Sequence, residues 1–252
     1  MSAPVFLNPS GTLYGIGVGP GDPELLTVKA HRILSEVPVL AVPTSYADSG
    51  SLALEVIRPL LSARELAGRP FEVVSLLFPM TRDEEVLANA RRQNAEILLG
   101  ALSRGDAAFV ALGDILFYST FGNLLAGLFP LAPALKAEVV PGITAYAGAV
   151  SRLVEPLTQG PERLAILPAV YAPEEIEKVL DLFEVVVFMK INKVFSTVRE
   201  ILSRRGLLDR TVYVSFVGMP EERIERRLDR VAPEEVPYMS LLVVRKNGWL
   251  PR

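Results

Sequence analysis

Up to Leu112, short apolar runs alternate with longer stretches of helical periodicity, and this alternation leaves few architectures open. Leu13 to Val18 reads as a strand, and Glu24 to Leu34 as a helix with Leu26, Ala30, Ile33 and Leu34 on its apolar side. Val37 to Val42 predicts a second strand, Ser51 to Leu61 a second helix and Phe71 to Leu76 a third strand. Arg82 to Leu102 reads as a long helix with Val86, Ala90, Ile97 and Ala101 on one side, and Asp106 to Leu112 as a fourth strand. A helix between two strands carries the chain back to the end of the sheet where it began, so the strands run parallel. The expectation is an α/β fold with a mainly parallel sheet covered on both faces. Ligands of such sheets lie beyond the carboxyl ends of the strands. The loops after Val18, Val42, Leu76 and Leu112 therefore matter most.

The second half changes character. A helix over Tyr118 to Leu128 precedes a break between Pro130 and Pro133. A strand, Ala137 to Val140, then meets Pro141-Gly-Ile-Thr144 and a small-residue helix, Ala145 to Leu153. Further strands are expected at Leu164 to Leu167, Val185 to Met189, Thr211 to Phe216 and Ser240 to Arg245. The last two are separated by Gly218 to Pro237, a charge-dense stretch that reads as a turn or hairpin rather than a crossover helix. A mixed sheet follows from that. The domain boundary is placed between residues 115 and 130, giving an N-terminal domain over 1–120 and a C-terminal domain over 121–252.

The first of the strand-end loops is Tyr14-Gly-Ile-Gly-Val-Gly-Pro-Gly-Asp22. Gly15, Gly17, Gly19 and Gly21 strip the Cβ atoms from the turn, so a ligand or a second backbone segment can come very close. The dinucleotide fingerprint G-x-G-x-x-G fails here, because its third glycine falls on Asp22. A carboxylate at that point opposes a pyrophosphate, and Pro20 removes an N–H that a phosphate cradle uses. The loop suits a cofactor without phosphates better; a tight turn with no ligand is the competing reading.

Composition narrows the chemistry. The 252 residues are half apolar with a mean hydropathy of +0.33, enough for extensive cores. With no cysteine, disulfides, thiolate zinc sites and thiol nucleophiles are excluded. His31 is the single histidine and lies in an amphipathic helix pattern, so it is expected on a helix surface, and no imidazole-based chemistry or metal site is expected. A net charge of −3 argues against non-specific nucleic-acid binding. The cluster Arg223, Arg226, Arg227 and Arg230 is interleaved with Glu221, Glu222, Glu225 and Asp229, which reads as a self-compensated surface. No apolar run approaches 18 residues, and no basic segment precedes an apolar one near Met1. Neither a membrane span nor a signal peptide is expected, and a cytoplasmic location follows.

Three glycine-bearing loops now stand at strand ends: Gly17-Val-Gly-Pro-Gly-Asp22, Leu112-Gly-Asp-Ile-Leu-Phe-Tyr-Ser-Thr120 and Val140-Pro-Gly-Ile-Thr-Ala145. In this order and spacing they resemble the tetrapyrrole methylase family, from Gly11 to about Lys246. Within it the likeness is to the branch that methylates C20 of precorrin-2, or its cobalt-bound counterpart, in cobalamin biosynthesis. That branch is suggested by Val42-Pro43 followed by Gly50-Ser-Leu-Ala53, by Arg152-Leu153, and by Tyr238-Met-Ser-Leu-Leu-Val-Val-Arg-Lys246. Ile115 departs from the family, which commonly has proline or another small residue after this Gly-Asp pair.

The resemblance implies S-adenosyl-L-methionine (product S-adenosyl-L-homocysteine) in an active-site cleft between two α/β domains, a tetrapyrrole substrate and a homodimer. It implies cofactor contacts at Pro20, Leu112, Gly113, Asp114, Phe117, Thr144, Ala145, Met189 and Gly218. Local readings compete: Asp114 and Thr144 as helix caps, and Met189 as core. The substrate's carboxylates call for donors. Lys190 and Arg152 are the basic candidates, with Ser51, Ser119 and Gly19 beside them, while Arg82 reads as a solvated charge. Tyr118 is the candidate base for removing the C20 proton. Methylation of another tetrapyrrole carbon, or of ribosomal RNA, is an alternative within the family, although the acidic balance counts against RNA. A non-catalytic nucleotide-binding protein is the alternative from another class.

Overall fold

A computed structural model describes residues 9–45, 50–168 and 172–250. The loop after the second strand, one of the four expected to matter, lies outside the described residues at 46–49. The chain divides into two compact units that meet in sequence between Thr144 and Ala145.

The first unit is built on five strands: β1 (Thr12–Gly17), β2 (Val39–Thr44), β3 (Glu72–Leu77), β4 (Ala107–Ala111) and β5 (Lys136–Val140). They form one sheet in the order β3-β2-β4-β1-β5, and every pairing is parallel. The connecting helices are α1 (Val28–Glu36), α2 (Leu52–Leu66), α3 (Glu84–Leu102) and α4 (Phe121–Leu128). Side-chain alternation sorts the buried strand residues by face. Leu13, Ala41, Ala107, Phe109 and Ala111 pack with Ala95, Leu98, Leu99 and Leu102 of α3 and Phe121, Leu124 and Leu128 of α4. Leu40, Ala108 and Val110, all fully buried, are left for the other face, where α2 lies against β4.

Local chemistry decides where these elements begin. Asp22 caps a single 3-10 turn over Pro23–Leu25 by accepting from the Glu24 N–H at 2.9 Å. The backbone is then extended at Leu26 and Thr27, and Thr27 caps α1 by accepting from Ala30 at 3.1 Å. The helix expected from Glu24 therefore starts four residues later. His31 is exposed on α1, as its position in the amphipathic pattern requires.

Order reverses at β1 and β4. From β1 the chain crosses to β2 on one side, whereas from β4 it crosses to β5 on the other. The carboxyl ends of β1 and β4 are therefore the switch point of the sheet, where the connecting loops diverge and leave a crevice.

The second unit begins with α5 (Ala145–Leu153). It contains β6 (Leu164–Leu167), α6 (Pro173–Leu182), β7 (Val185–Met189), α7 (Phe195–Arg204), β8 (Thr211–Ser215), β9 (Arg223–Glu225) and β10 (Ser240–Arg245). Its sheet runs β6-β7-β10-β8-β9; only β6 and β7 pair in parallel, so the sheet is mixed, as expected. Val186, Phe188, Leu242 and Val244 face α6 and α7, while Val187, Val212, Val214 and Val243 face α5. The helices α6 and α7 add to the expected pattern, and β9 folds back on β8 from within the charge-dense stretch.

The boundary departs from expectation. α4 and β5 belong to the first unit, because β5 hydrogen-bonds along β1 from Thr12↔Lys136 to Ile16↔Val140. The division thus falls after Thr144 rather than near residue 120. The Pro130–Pro133 break is an ordinary turn between α4 and β5.

Candidate active site

In the first unit the three glycine-bearing loops meet. Gly19 and Gly113 exchange both backbone hydrogen bonds, with the Gly19 N–H donating to the Gly113 carbonyl at 3.1 Å and the Gly113 N–H to the Gly19 carbonyl at 2.7 Å. Both glycines have positive φ, 78° and 73°. The Val18 N–H donates to the Ala111 carbonyl at 3.0 Å, which extends the β1–β4 pairing into the loops. The third loop closes over them. A Cβ on Gly17 would lie 2.6 Å from the Gly113 oxygen and 2.7 Å from the Gly142 nitrogen, and a Cβ on Gly142 would strike the Gly113 carbonyl.

The glycines therefore divide by role. Gly15 admits the Phe121 ring, which stacks on Phe109 at 5.6 Å. Gly17 and Gly142 admit backbone. Gly113 is different: a Cβ there would meet nothing closer than the Ile143 oxygen at 3.9 Å. Gly113 is itself buried, but the junction has room there for a small group.

Asp114 joins two of these loops. Its Oδ1 accepts from the Leu116 N–H at 2.9 Å and its Oδ2 from the Gly142 N–H at 3.0 Å. It caps no helix, since α4 begins only at Phe121. Ile115 is fully buried in the core, which explains why this position accepts a large apolar residue. Tyr118 has φ 51°, a strained value for an aromatic residue, and is 44% exposed. Its ring meets that of Phe117 edge-on at 4.7 Å. Ser119 turns inward on its own loop, its hydroxyl accepting from the Phe121 N–H at 3.2 Å. Pro20 is buried, as is Ser51 at the start of α2.

The loop after β3 lines a cavity of about 400 Å³ with α3 and the start of α4, between Phe78, Met80, Arg91 and Asn123. Asn94 at its wall holds the strand end, accepting from the Leu77 N–H at 3.0 Å and donating to its carbonyl at 2.8 Å. None of the expected site residues lines this cavity.

In the second unit the expected residues gather where β10 begins. Met189 ends β7 opposite Leu241, and the Lys190 N–H donates to the Ser240 carbonyl at 3.0 Å. Lys190 has left-handed backbone, φ 57°, and its ammonium lies 5.6 Å from the centre of the Tyr238 ring, a cation–π contact. Across β10, the Phe216 N–H donates to the Met239 carbonyl at 2.9 Å and leads into Gly218. Gly218, with φ 76°, donates its N–H to Glu222 Oε2 at 2.6 Å, and the same oxygen lies 3.3 Å from Arg152 Nε.

Arg152 and Gly218 are thus joined through Glu222, which composition alone places in a self-compensated surface. Its neighbours do compensate locally, Arg227 with Asp229 and Arg223 with Glu235. Glu222 is the site residue that the sequence does not single out, whereas Gly142 belongs to one of the three glycine-bearing loops without a role of its own. The strand-end Pro-Gly pair signals Gly142; Glu222, inside a run of alternating charges, carries no such signal. Among the described residues no group of three or more His, Asp or Glu side chains could hold a metal ion, and no helix is long and apolar enough to cross a membrane.

The precorrin-2 C(20)-methyltransferase of Sinorhizobium sp is 35% identical over 254 residues, covering 96% of this chain and 97% of the relative. The cobalt-precorrin-2 C(20)-methyltransferase of Salmonella typhimurium is 31% identical, covering 94% of this chain and 98% of the relative. Among solved structures, the uroporphyrin-III C-methyl transferase of Thermus thermophilus complexed with S-adenyl homocysteine matches with a TM-score of 0.64 and 25% identity, over 94% of this chain and 98% of that one. The family model for tetrapyrrole (corrin/porphyrin) methylases matches residues 12–231, and the chain belongs to that family.

Proposed function

We propose that this chain is an S-adenosylmethionine-dependent C-methyltransferase acting at C20 of precorrin-2, or of its cobalt-bound counterpart, in cobalamin biosynthesis. The observation that carries this reading is the junction of three loops at the switch point, with room beside Gly113, in a chain that matches a precorrin-2 C(20)-methyltransferase over 96% of its length. The residues present fit the cofactor. Gly113 gives it room for close approach, and the junction brings neutral backbone rather than the bare helix N-terminus that a pyrophosphate favours. Pro20, Leu112, Gly113, Phe117 and Thr144 of the first unit, and Ala145, Met189 and Gly218 of the second, are the proposed cofactor contacts.

When bound, the cofactor supplies an electrophilic methyl group on sulfur. The protein's main task is then to align the C20 carbon of the substrate with that methyl and to exclude other geometries. Lys190 and Arg152 are proposed to meet substrate carboxylates, with Ser51, Ser119 and Gly19 beside them. Arg152 enters that role already paired with Glu222, so a substrate carboxylate has to compete with an existing ion pair. As the new C–CH3 bond forms at C20, the C20 proton must leave; the Tyr118 hydroxyl, on a strained and exposed turn, is the proposed relay, taking that proton while its own passes to solvent. A cytoplasmic homodimer is proposed as the working state, on the strength of the family likeness.

Calorimetry with S-adenosylmethionine and with NAD tests the cofactor. Binding of NAD alone would point instead to the nucleotide-binding alternative. Incubation with S-adenosylmethionine and either metal-free precorrin-2 or its cobalt complex tests the substrate, the expected product gaining one methyl at C20. Methylation of uroporphyrinogen in preference to both would move the chain to another branch of the family.

A further inference from the structure

The Asp114 carboxylate is divided between two loops. One oxygen receives the N–H of Leu116, two residues on; the other receives the N–H of Gly142, 28 residues on. Both are charge-assisted bonds to backbone donors, so the carboxylate is oriented before any ligand arrives. Gly142 has little freedom, since the space beside it is filled by Gly17 and Gly113. What remains to be set is the register of the third loop along the second, and the bond to Gly142 sets it. Two residues beyond Gly142 is Thr144, and immediately before Asp114 is Gly113. Both are candidate cofactor contacts, so any slip at Gly142 changes the spacing between them.

We propose that Asp114 is a positioning residue: it sets the backbone of Gly113 and Thr144 for the methyl donor by locking the third loop to the second, rather than by bonding the donor itself. This rests on the proposed methyltransferase function. It assigns Asp114 a different role from the direct cofactor contact that the family resemblance implies, and from a helix cap.

The test uses the full-length protein and the near-isosteric Asp114→Asn. An asparagine has one acceptor oxygen, and its NH2 group must face the other N–H, so one of the two ties is lost. Three quantities are compared with wild type: amide hydrogen exchange at Leu116 and Gly142 in the unliganded protein, S-adenosylhomocysteine affinity by calorimetry, and the KM for S-adenosylmethionine against kcat. Exchange at core amides such as Val110 checks that the variant is folded, and Asp114→Ala, which loses both ties, serves as a second variant.

The expected result is faster exchange at Gly142 or Leu116 in Asp114→Asn and at both in Asp114→Ala, with core protection retained. S-adenosylhomocysteine affinity should fall roughly tenfold, the loss of about one such bond, with KM moving more than kcat. A loss of affinity with exchange unchanged would mean that Asp114 contacts the cofactor directly, and would overturn the proposal. Faster exchange with unchanged affinity would overturn it too, leaving a purely structural tie. Failure of the wild-type protein to bind S-adenosylhomocysteine would overturn the functional reading itself, before any variant is compared.

Discussion

Alanine at Gly142 and alanine at Gly113 add the same methyl group to the same loop junction, and they should fail in opposite ways. At Gly142 the added carbon would lie 2.7 Å from the carbonyl carbon of Gly17 and 2.8 Å from its Cα, and closer still to the Gly113 oxygen. All three are backbone atoms. Gly17 cannot move aside, because it pairs with Ala111 of β4 while its neighbour Ile16 pairs with Val140 of β5. Overpacking of this kind costs about 1–3 kcal/mol, and an obstacle made wholly of backbone puts Gly142→Ala near 3. At about 2–4 °C per kcal/mol for a chain of this size, Tm should drop by roughly 6–12 °C. At Gly113 the methyl makes only an ordinary contact with the Ile143 oxygen at 3.9 Å, and the cost is chiefly the left-handed backbone, about 1–2 kcal/mol or roughly 2–8 °C. Yet that methyl occupies the face proposed for the cofactor. Gly113→Ala should therefore lose S-adenosylhomocysteine affinity out of proportion to its stability, by more than about tenfold. Thermal unfolding and calorimetry on the two variants read both effects. If Gly113→Ala binds S-adenosylhomocysteine like wild type, or is the less stable of the pair, the division of roles among these glycines is wrong.

Val154 closes α5 with left-handed backbone (φ 54°), its N–H donating to Ser151 and that of Glu155 to Val150, and it is 77% exposed. This is a helix end that favours glycine; Val154→Gly should raise stability by about 1 kcal/mol in urea unfolding, because strain is relieved and little packing is lost. Arg245 is buried, its Nε and Nη1 have no hydrogen-bond partner among the described residues, and its Nη2 donates to Glu162 at 3.0 Å. Burial opposes ionisation of Glu162, but hydrogen bonds from Asn247, the Gln159 backbone and Arg245 outweigh it and hold the carboxyl below its ordinary 4.5. A lowered folded-state pKa gives stability that is present above the unfolded value and lost as pH falls through the folded one. Wild-type stability should therefore fall below about pH 4.5, and Glu162→Gln should flatten that limb while costing about 3 kcal/mol at neutral pH. Arg245→Met should cost less, since it removes two unsatisfied donors along with the charge; an equal cost would show that Nε and Nη1 have partners in solution. Tyr118→Phe keeps the ring contact with Phe117 but lacks the hydroxyl, so kcat should fall about a hundredfold with S-adenosylhomocysteine affinity unchanged. Unchanged turnover would remove Tyr118 from proton transfer.

The architecture was legible where periodicity carried it. Most strands of the first sheet announce themselves as apolar runs of the right length, although Lys136 and Glu138 interrupt β5, and the parallel direction follows from the helices between them. What periodicity does not encode is partnership. β5 is a short strand after a proline break, and only its register against β1 places it in the first unit. The start of α1 was misread for a similar reason. Leu25 and Leu26 continue the apolar pattern, but two successive caps, Asp22 and Thr27, divide the segment into a turn and a helix. Apolar pattern marks which residues are buried; the short polar side chains decide where a helix begins.

The site was legible as a set of loops but not as a set of contacts. Four glycines at alternate positions suggest close approach, and two of them provide it to the protein's own chain, Gly15 to a ring and Gly17 to two other loops, while Gly19 pairs with Gly113 through left-handed backbone. A glycine that fits a ligand and one that fits a neighbouring backbone are identical in sequence, because the difference lies in what stands across from the missing Cβ. The same limit applies to charge. Arg152 reads as a donor with no sign of the Glu222 set against it, and Asp114 reads as a ligand contact with no sign that each of its oxygens already accepts a backbone N–H. In each case the sequence shows a group that can bind, and only the fold shows what it already binds. A cofactor site at this junction then depends less on any side chain aimed at the ligand than on backbone held rigid by its own packing, which is why a methyl group at Gly113 is the sharper probe of binding than one at Gly142.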